Sequence, residues 1–144
     1  MTKVYDTARF GESSRNVEYL GAFIAWLTVN HLLAENVERA AGSAVARVRM
    51  QDLSGPEFLT TILHGELRAA HLTDDASRFV EHYFVGGKYL KDYATCEYQG
   101  EDEWLRYDEI APKITAAFRK FNAPRGTLRE KTAKILKFPT RSKK

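Results

Sequence analysis

The sequence predicts an all-α fold, a compact bundle of about five helices around a buried central helix, followed by a basic C-terminal tail. Three observations predict it. Residues 17–33 are apolar on nearly every side of a helical projection, which is typical of a helix buried by several neighbours. Signals for helix starts recur along the chain. No two strand-like segments are joined by a hairpin signal.

The composition is that of a single globular domain. The chain has 144 residues, of which 44% are hydrophobic and 12% aromatic, enough for one sizeable core. Its single cysteine, Cys96, cannot form an internal disulfide and fits a reducing compartment. Because the first 15 residues contain no apolar run, we expect no secretory signal and a cytoplasmic location.

The predicted central helix spans residues 17–33 and follows a segment that predicts an irregular arm. Only Glu18, Thr28, Asn30 and His31 interrupt its apolar character. This length is borderline for a membrane span, and the polar interruptions argue against one. We therefore predict a core helix and no membrane span.

Two helical segments follow the central helix. Residues 34–50 have a shallow apolar face, and Gly42 with Ser43 lowers the helix propensity by about 1 kcal/mol, which predicts a break or bend. Ser54 and Glu57 have the spacing of a capping box. A helix is therefore predicted to begin at Ser54.

The second half of the chain contains two further predicted helices. One begins at Thr73, is interrupted by two glycines at residues 86–87, and resumes over residues 88–93. An acidic connector follows. The last helix is predicted over residues 108–121, with Pro112 in its first turn, where a missing N–H is tolerated.

Charge is distributed very unevenly along the chain. Residues 1–112 contain 11 Lys and Arg against 18 Asp and Glu, a net charge of −7, whereas residues 113–144 contain 11 against one, a net charge of +10. A cluster of helix-breaking residues after Phe121 indicates a domain boundary. We predict an acidic helical domain over residues 1–122 and a basic tail over residues 123–144 with the pattern of a short amphipathic helix.

No arrangement of catalytic or metal-binding residues stands out. The histidines lack the close spacing of a zinc site, and no His lies within ten residues of Cys96. Neither a phosphate-binding loop nor a nucleophile elbow is present. The sequence therefore predicts a non-enzymatic protein with no metal and no cofactor. The histidines are His31, His64, His71 and His82.

The acidic groups admit two interpretations. They are either solvated helix caps and loop residues, or a negative surface that captures a basic partner and accelerates the encounter. Aromatic residues among these charges favour the second interpretation, because aromatic anchors beside a charged rim are typical of interfaces. The candidate partner-binding residues are Asp74, Asp75, Glu97, Tyr98, Glu101, Asp102, Glu103, Trp104 and Tyr107.

The basic tail also admits two interpretations. It is either a solubilising segment, which could fold back onto the acidic body, or a segment that binds the phosphates of a nucleic acid or an anionic surface with an affinity that falls with salt. A small nucleic-acid-associated accessory protein is therefore the alternative function. The residues that would contact phosphates are Arg125, Arg129, Lys131, Lys134 and Lys137.

The chain resembles a family of small bacterial all-α domains over roughly residues 4–121. The shared features are mostly apolar and aromatic positions, with a few glycines and aspartates. They are Tyr5, Asp6, Ala8, Gly21, Phe23, Trp26, Leu33, Leu59, Gly65, Leu67, Phe79, Tyr83, Tyr89, Asp92, Tyr93, Trp104, Tyr107 and Asp108.

Members of this family look like immunity proteins of polymorphic toxin systems. The resemblance implies an inhibitor that binds a cognate toxin domain directly, and not an enzyme. The sequence departs from the family pattern at Phe10, which replaces the usual tryptophan, and in the more basic run over residues 42–50. The basic tail from Arg125 onward lies outside the resemblance.

Overall fold

The computed structural model describes residues 3–123, and the chain over this range is mostly helical, which confirms the all-α prediction. Seven α-helices lie in this range where about five were predicted, because two predicted segments are each divided in two. The helices are α1 (Val17–Val29), α2 (Glu35–Ala40), α3 (Gly42–Arg49), α4 (Gly55–Thr61), α5 (Asp74–Val80), α6 (Lys88–Ala94) and α7 (Glu103–Asn122).

Helix α1 is the centre of the fold, as its all-round apolar pattern predicted, but it ends at Val29, four residues before the predicted end. Every residue from Leu20 to Thr28 is buried. Phe23 and Trp26 pack among the rings of α5, α6 and the turn between them. A helix enclosed on all sides must be apolar on all sides, so burial accounts for the sequence pattern.

Helices α1 and α4 approach so closely that their contact requires glycine on both sides. A Cβ atom at Gly55 would lie 2.0 Å from the carbonyl oxygen of Gly21, and one at Gly21 would lie 2.5 Å from the nitrogen of Pro56. The predicted capping box at the start of α4 is confirmed, since Ser54 and Glu57 exchange side-chain-to-backbone hydrogen bonds. The cap and the glycine contact together fix α4 against α1.

The last helix, α7, begins earlier than predicted. It begins at Glu103 and not at residue 108, so Pro112 lies inside the helix and not in its first turn. Pro112 cannot donate to the carbonyl of Asp108 four residues earlier. Both residues are exposed, so water can satisfy that carbonyl and the helix continues.

Helices α1 and α7 run parallel, and this relation positions both ends of the molecule. The Trp26 indole Nε1 donates to the Thr115 hydroxyl over 2.9 Å. Near the beginning of both helices, Arg106 of α7 is close enough to Glu18 of α1 for its positive charge to help lower the pKa of that carboxyl. The beginnings of the two helices therefore share one end of the molecule, and their later turns share the other.

The two-glycine break between α5 and α6 is confirmed and is preceded by a π-helical turn, Glu81–Val85. Gly86 packs directly on this turn, because a Cβ there would lie 2.2 Å from the His82 carbonyl oxygen. Gly87 has a φ of +88°, a left-handed conformation that glycine adopts without strain. Helix α6 begins at the next residue.

A small two-stranded sheet was not predicted. The arm predicted to be irregular contains β1 (Val4–Thr7), which pairs antiparallel with β2 (Glu66–Arg68). The strands are short and far apart in sequence, so no hairpin signal marks them. Among the described residues, no helix has the length and apolar character needed to cross a membrane.

The predicted basic tail lies outside the described residues, apart from Ala123. The five candidate nucleic-acid-binding residues of the tail therefore stay predictions. They are Arg125, Arg129, Lys131, Lys134 and Lys137.

Candidate partner-binding site

The acidic connector, residues 95–102, joins α6 to α7 and is tied closely to α7. Asp102 caps the helix: its Oδ1 accepts from the backbone N–H of Trp104 over 2.9 Å and of Leu105 over 3.2 Å. A carboxylate at this position satisfies free amides and interacts favourably with the helix dipole. Asp102 therefore stabilises the local structure of the site.

Glu109 fastens the beginning of the connector to the second turn of α7. Its two carboxylate oxygens accept from the backbone N–H groups of Glu97, over 2.6 Å, and Tyr98, over 2.9 Å. These hydrogen bonds favour the ionised form and lower the pKa of Glu109 below its usual value. These two hydrogen bonds are consequently strongest when the Glu109 carboxyl is ionised.

Arg106 closes the connector from the other side. Its guanidinium donates to the Gly100 carbonyl and to the Glu103 carboxylate, each over 2.6 Å, and lies 5.8 Å from the centre of the Tyr98 ring. The Tyr98 hydroxyl in turn accepts from the backbone N–H of Asp102 over 2.9 Å. The connector is thus held by hydrogen bonds from its own side chains, Tyr98 and Asp102, and from Arg106 and Glu109 of α7.

Three carboxylates of this region have no such role. The side chains of Glu97, Glu101 and Asp108 are exposed, and among residues 3–123 none of them forms a side-chain hydrogen bond or an ion pair. They are therefore the charges available to a partner. Asp108 was not among the predicted site residues.

An exposed apolar side chain lies between these charges. Leu105 is 52% exposed. Leu105 and Asp108 are three residues apart in α7 and therefore lie on one outward face of the helix, and Glu101 immediately precedes the capping residue Asp102. This spacing could have revealed the patch from the sequence if the start of α7 had been predicted at Glu103. We name Glu97, Glu101, Leu105 and Asp108 the acidic face.

The aromatic candidates differ in how far they are available to a partner. Trp104 and Tyr98 are partly exposed. Tyr107 is only 8% exposed, packs edge-on against Trp104 at 5.2 Å between ring centres, and has its pKa raised to about 12 by burial. Tyr107 therefore supports the anchor Trp104 from the core, whereas Trp104 and Tyr98 reach the surface.

The structure does not bring Asp74 and Asp75 to the connector. They lie in the first turn of α5, which follows the bridge between Leu33 and Leu72 beyond the end of α1. The connector lies beside the beginning of α1, and that helix alone is about 18 Å long at 1.5 Å per residue. Asp75 also pairs with Arg78. The predicted residues thus fall into two separate groups.

A cavity of about 340 Å³ lies beneath the connector and contains Cys96 in its lining. Burial and the nearby Glu109 carboxylate raise the pKa of the Cys96 thiol. A thiol with a raised pKa is a poor nucleophile at neutral pH. The cavity therefore offers space and polar walls to a partner side chain, without an activated cysteine.

The described residues contain no group of three or more His, Cys, Asp or Glu side chains arranged to bind a metal ion. His71 accepts at Nδ1 from the backbone N–H of Arg68 over 3.1 Å, and burial lowers its pKa. This histidine belongs to the local structure of the turn before α5.

The fold and the site define a small helical domain with an ordered acidic connector at one end of its last helix. The chain belongs to the family described as Domain of unknown function (DUF7832), which matches residues 11–107. The matched segment includes α1, the connector and the first turn of α7. No curated protein and no solved structure gave a match.

Proposed function

We propose that this chain is a non-enzymatic binding protein, an immunity protein that neutralises a cognate bacterial toxin by binding it directly in the cytoplasm. The observation that carries the proposal is the acidic face: the connector and the first turns of α7 carry three exposed carboxylates without partners in the described chain, together with the exposed Leu105, on an ordered support. The resemblance to immunity proteins supplies the kind of partner.

The order of the connector supports tight binding. A partner that docks on a segment already held by Asp102, Arg106 and Glu109 does not have to immobilise it, and this lowers the entropy cost of association. An apolar centre with charged neighbours is also the usual composition of an interface. Trp104 and Tyr98, half-exposed beside the acidic face, would extend the contact.

The charge of the acidic face defines the chemistry of the partner. Unpaired carboxylates attract a basic protein surface over several ångströms and accelerate productive encounters at low salt. A toxin whose active surface binds an anionic substrate carries such a basic surface. Covering that surface would exclude the substrate without any reaction on the inhibitor.

The experiment that tests the function is capture of the partner followed by a growth assay. The tagged full chain is used to co-purify proteins from its own cells at low and moderate salt. We expect one protein that survives moderate salt, arrests growth when expressed alone, and no longer does so when co-expressed with this chain.

Two results would reject the proposal. One is that the captured protein is harmless when expressed alone in the same cells. The other is that growth arrest persists with the wild-type chain present at equal expression. The Leu105→Ala variant is compared with the wild-type chain in the same growth assay. Its side chain is exposed, so its loss leaves the hydrogen bonds that hold the connector intact.

A further inference from the structure

A second surface lies at the opposite end of α7 from the acidic face. A groove of about 440 Å³ runs between the last turns of α7 on one side and the π-helical turn with the first residue of α6 on the other. Its lining includes Lys88, Lys120, His82 and Phe121, and it reaches Ala123 at the end of the described chain. The volume is within the range of ligand-binding pockets, about 300–1,000 Å³.

The polar character of the groove is cationic. Lys88 and Lys120 are exposed, and neither forms an ion pair with another residue in the range 3–123. No acidic residue is among the described residues that line the groove. The carboxylate of Asp92, which does not line the groove, accepts from the hydroxyl of the lining residue Tyr83 over 2.6 Å. An anion entering the groove meets two ammonium groups that form no ion pair with the described part of the chain.

The groove also has an aromatic wall. The rings of His82 and Phe121 lie 5.1 Å apart at an angle of 33°, and Phe121 packs behind on Phe79 at 5.6 Å. Phe121 is only partly buried, so part of its ring faces the groove. A planar ring can stack on such a surface while its charged substituents contact the lysines.

The backbone around the groove is specialised. The π-helical turn places His82 and Tyr83 on the groove, and Gly86 fits tightly against the His82 carbonyl. Short π-helical segments are often found at functional sites, because they displace side chains from the regular helical positions. Lys88, the first residue of α6, follows this turn after Gly86 and Gly87.

We propose that this groove binds single-stranded nucleic acid, with phosphates at Lys88 and Lys120 and a base stacked on Phe121 and His82. Exposed cations next to an aromatic face are the two components of such sites. Residues 124–144, which continue the chain from the edge of the groove, contain eight Lys and Arg against one Glu, and this favours a long polyanion over a small ligand. The inference is independent of the proposed function, because it rests on the other end of α7.

The test is a fluorescence-anisotropy titration of the full chain with a labelled single-stranded oligonucleotide of about 15 nucleotides at several salt concentrations. The double variant Lys88→Gln/Lys120→Gln should bind about tenfold more weakly at low salt. Its slope of log affinity against log salt should be shallower by about 1.4, since each phosphate contact on a single strand contributes about 0.7.

The matched control is Arg39→Gln/Arg47→Gln, which removes the same charge from exposed positions on α2 and α3. This control should retain most of the affinity and the wild-type slope. Absence of binding by the wild-type chain would overturn the inference. Equal losses in the two double variants would overturn it as well, because net charge alone would then account for binding.

The proposed stacking of a base on Phe121 and His82 is tested separately. Phe121→Leu should weaken binding about fivefold or more, and His82→Gln, at an exposed position that does not affect the core, should act in the same direction. Circular dichroism establishes that each variant is folded. Wild-type affinity in the His82 variant, together with equally tight binding of polyphosphate, would show that the groove does not recognise bases and would overturn the proposed ligand.

Discussion

The two ends of α7 contain charged groups arranged in opposite ways. At the beginning of the helix, Asp102, Arg106 and Glu109 form hydrogen bonds with backbone groups and so build the connector. At its end, Lys120 is unpaired within residues 3–123, and the local structure depends on packed rings. One end is organised by polar contacts and the other by aromatic packing.

The difference teaches that the number of charges in a segment does not give the charge available for binding. The connector and the start of α7 contain six carboxylates, but three of them serve the fold and only the other three are available. The first three are Asp102, Glu103 and Glu109, and the others are Glu97, Glu101 and Asp108. At the cationic end, by contrast, the core packing does not use the lysines.

The largest effect is expected from a substitution that removes a buried side chain supporting both ends of α7. Trp26 is 1% exposed, contacts Phe79 and Phe118, and donates to Thr115. Trp26→Ala should lower the free energy of unfolding by about 3–5 kcal/mol, because a large buried ring is lost. Urea unfolding measures this change in the free energy of unfolding. Trp26→Phe, which keeps most of the packing, should cost less, and a loss below about 1 kcal/mol in the alanine variant would contradict a shared support.

The next prediction distinguishes carboxylates that stabilise the fold from carboxylates that are free to bind a partner at the beginning of α7. Asp102→Ala removes the cap of α7 and should lower the free energy of unfolding by about 1 kcal/mol. Glu101→Ala, at the adjacent exposed position, should change it by less than about 0.5 kcal/mol. Thermal unfolding of the two variants gives the comparison. Equal effects would show that the division between the two kinds of carboxylate is wrong.

The third prediction concerns pH. Because backbone hydrogen bonds lower the pKa of Glu109 in the folded state, its stabilising contribution is present above the unfolded pKa, near 4.5, and is lost as the pH falls through the lower folded pKa. The difference in unfolding free energy between the wild type and Glu109→Gln should therefore shrink below pH 4.5. Urea titrations at several pH values measure it. A difference that grows on acidification would contradict the assignment.

The smallest effect on stability is expected at the acidic face itself. Leu105 is 52% exposed, so Leu105→Ala should change the free energy of unfolding by less than about 0.5 kcal/mol. The same variant should weaken binding of the captured partner. Isothermal titration calorimetry compares the affinities. Unchanged affinity would remove Leu105 from the interface.

The sequence predicted the parts of the fold whose causes are local or appear in composition. The capping box of Ser54 and Glu57 is a contact across three residues, and the all-round burial of α1 requires an all-round apolar sequence. The break at Gly42 and the interruption at Gly86 and Gly87 follow from the backbone preferences of glycine.

The remaining features depend on contacts between distant segments. The pairing of β1 with β2 joins residues about sixty positions apart, and no local pattern encodes it. The start of α7 was missed because Asp102 lies in an acidic run in which any carboxylate could be the cap, and because Pro112 suggested a later start. The separation of Asp74 from the connector follows only from how α1, α5 and α7 pack.

The central claim is that the acidic face accelerates capture of a basic partner, and stopped-flow association kinetics test it most directly. The triple variant Glu97→Gln/Glu101→Gln/Asp108→Asn is compared with a control that loses three exposed charges outside the candidate partner-binding residues, Glu35→Gln/Asp52→Asn/Glu81→Gln. The captured partner is the second reactant for both.

At low salt, the variant of the acidic face should associate with the partner about tenfold more slowly than the wild type, whereas the control should stay close to it. The difference should nearly vanish at about 1 M salt, where charges are screened within about 3 Å. Equal rates for the two triple variants at low salt would contradict the account, because the partner would then respond to net charge and not to this face.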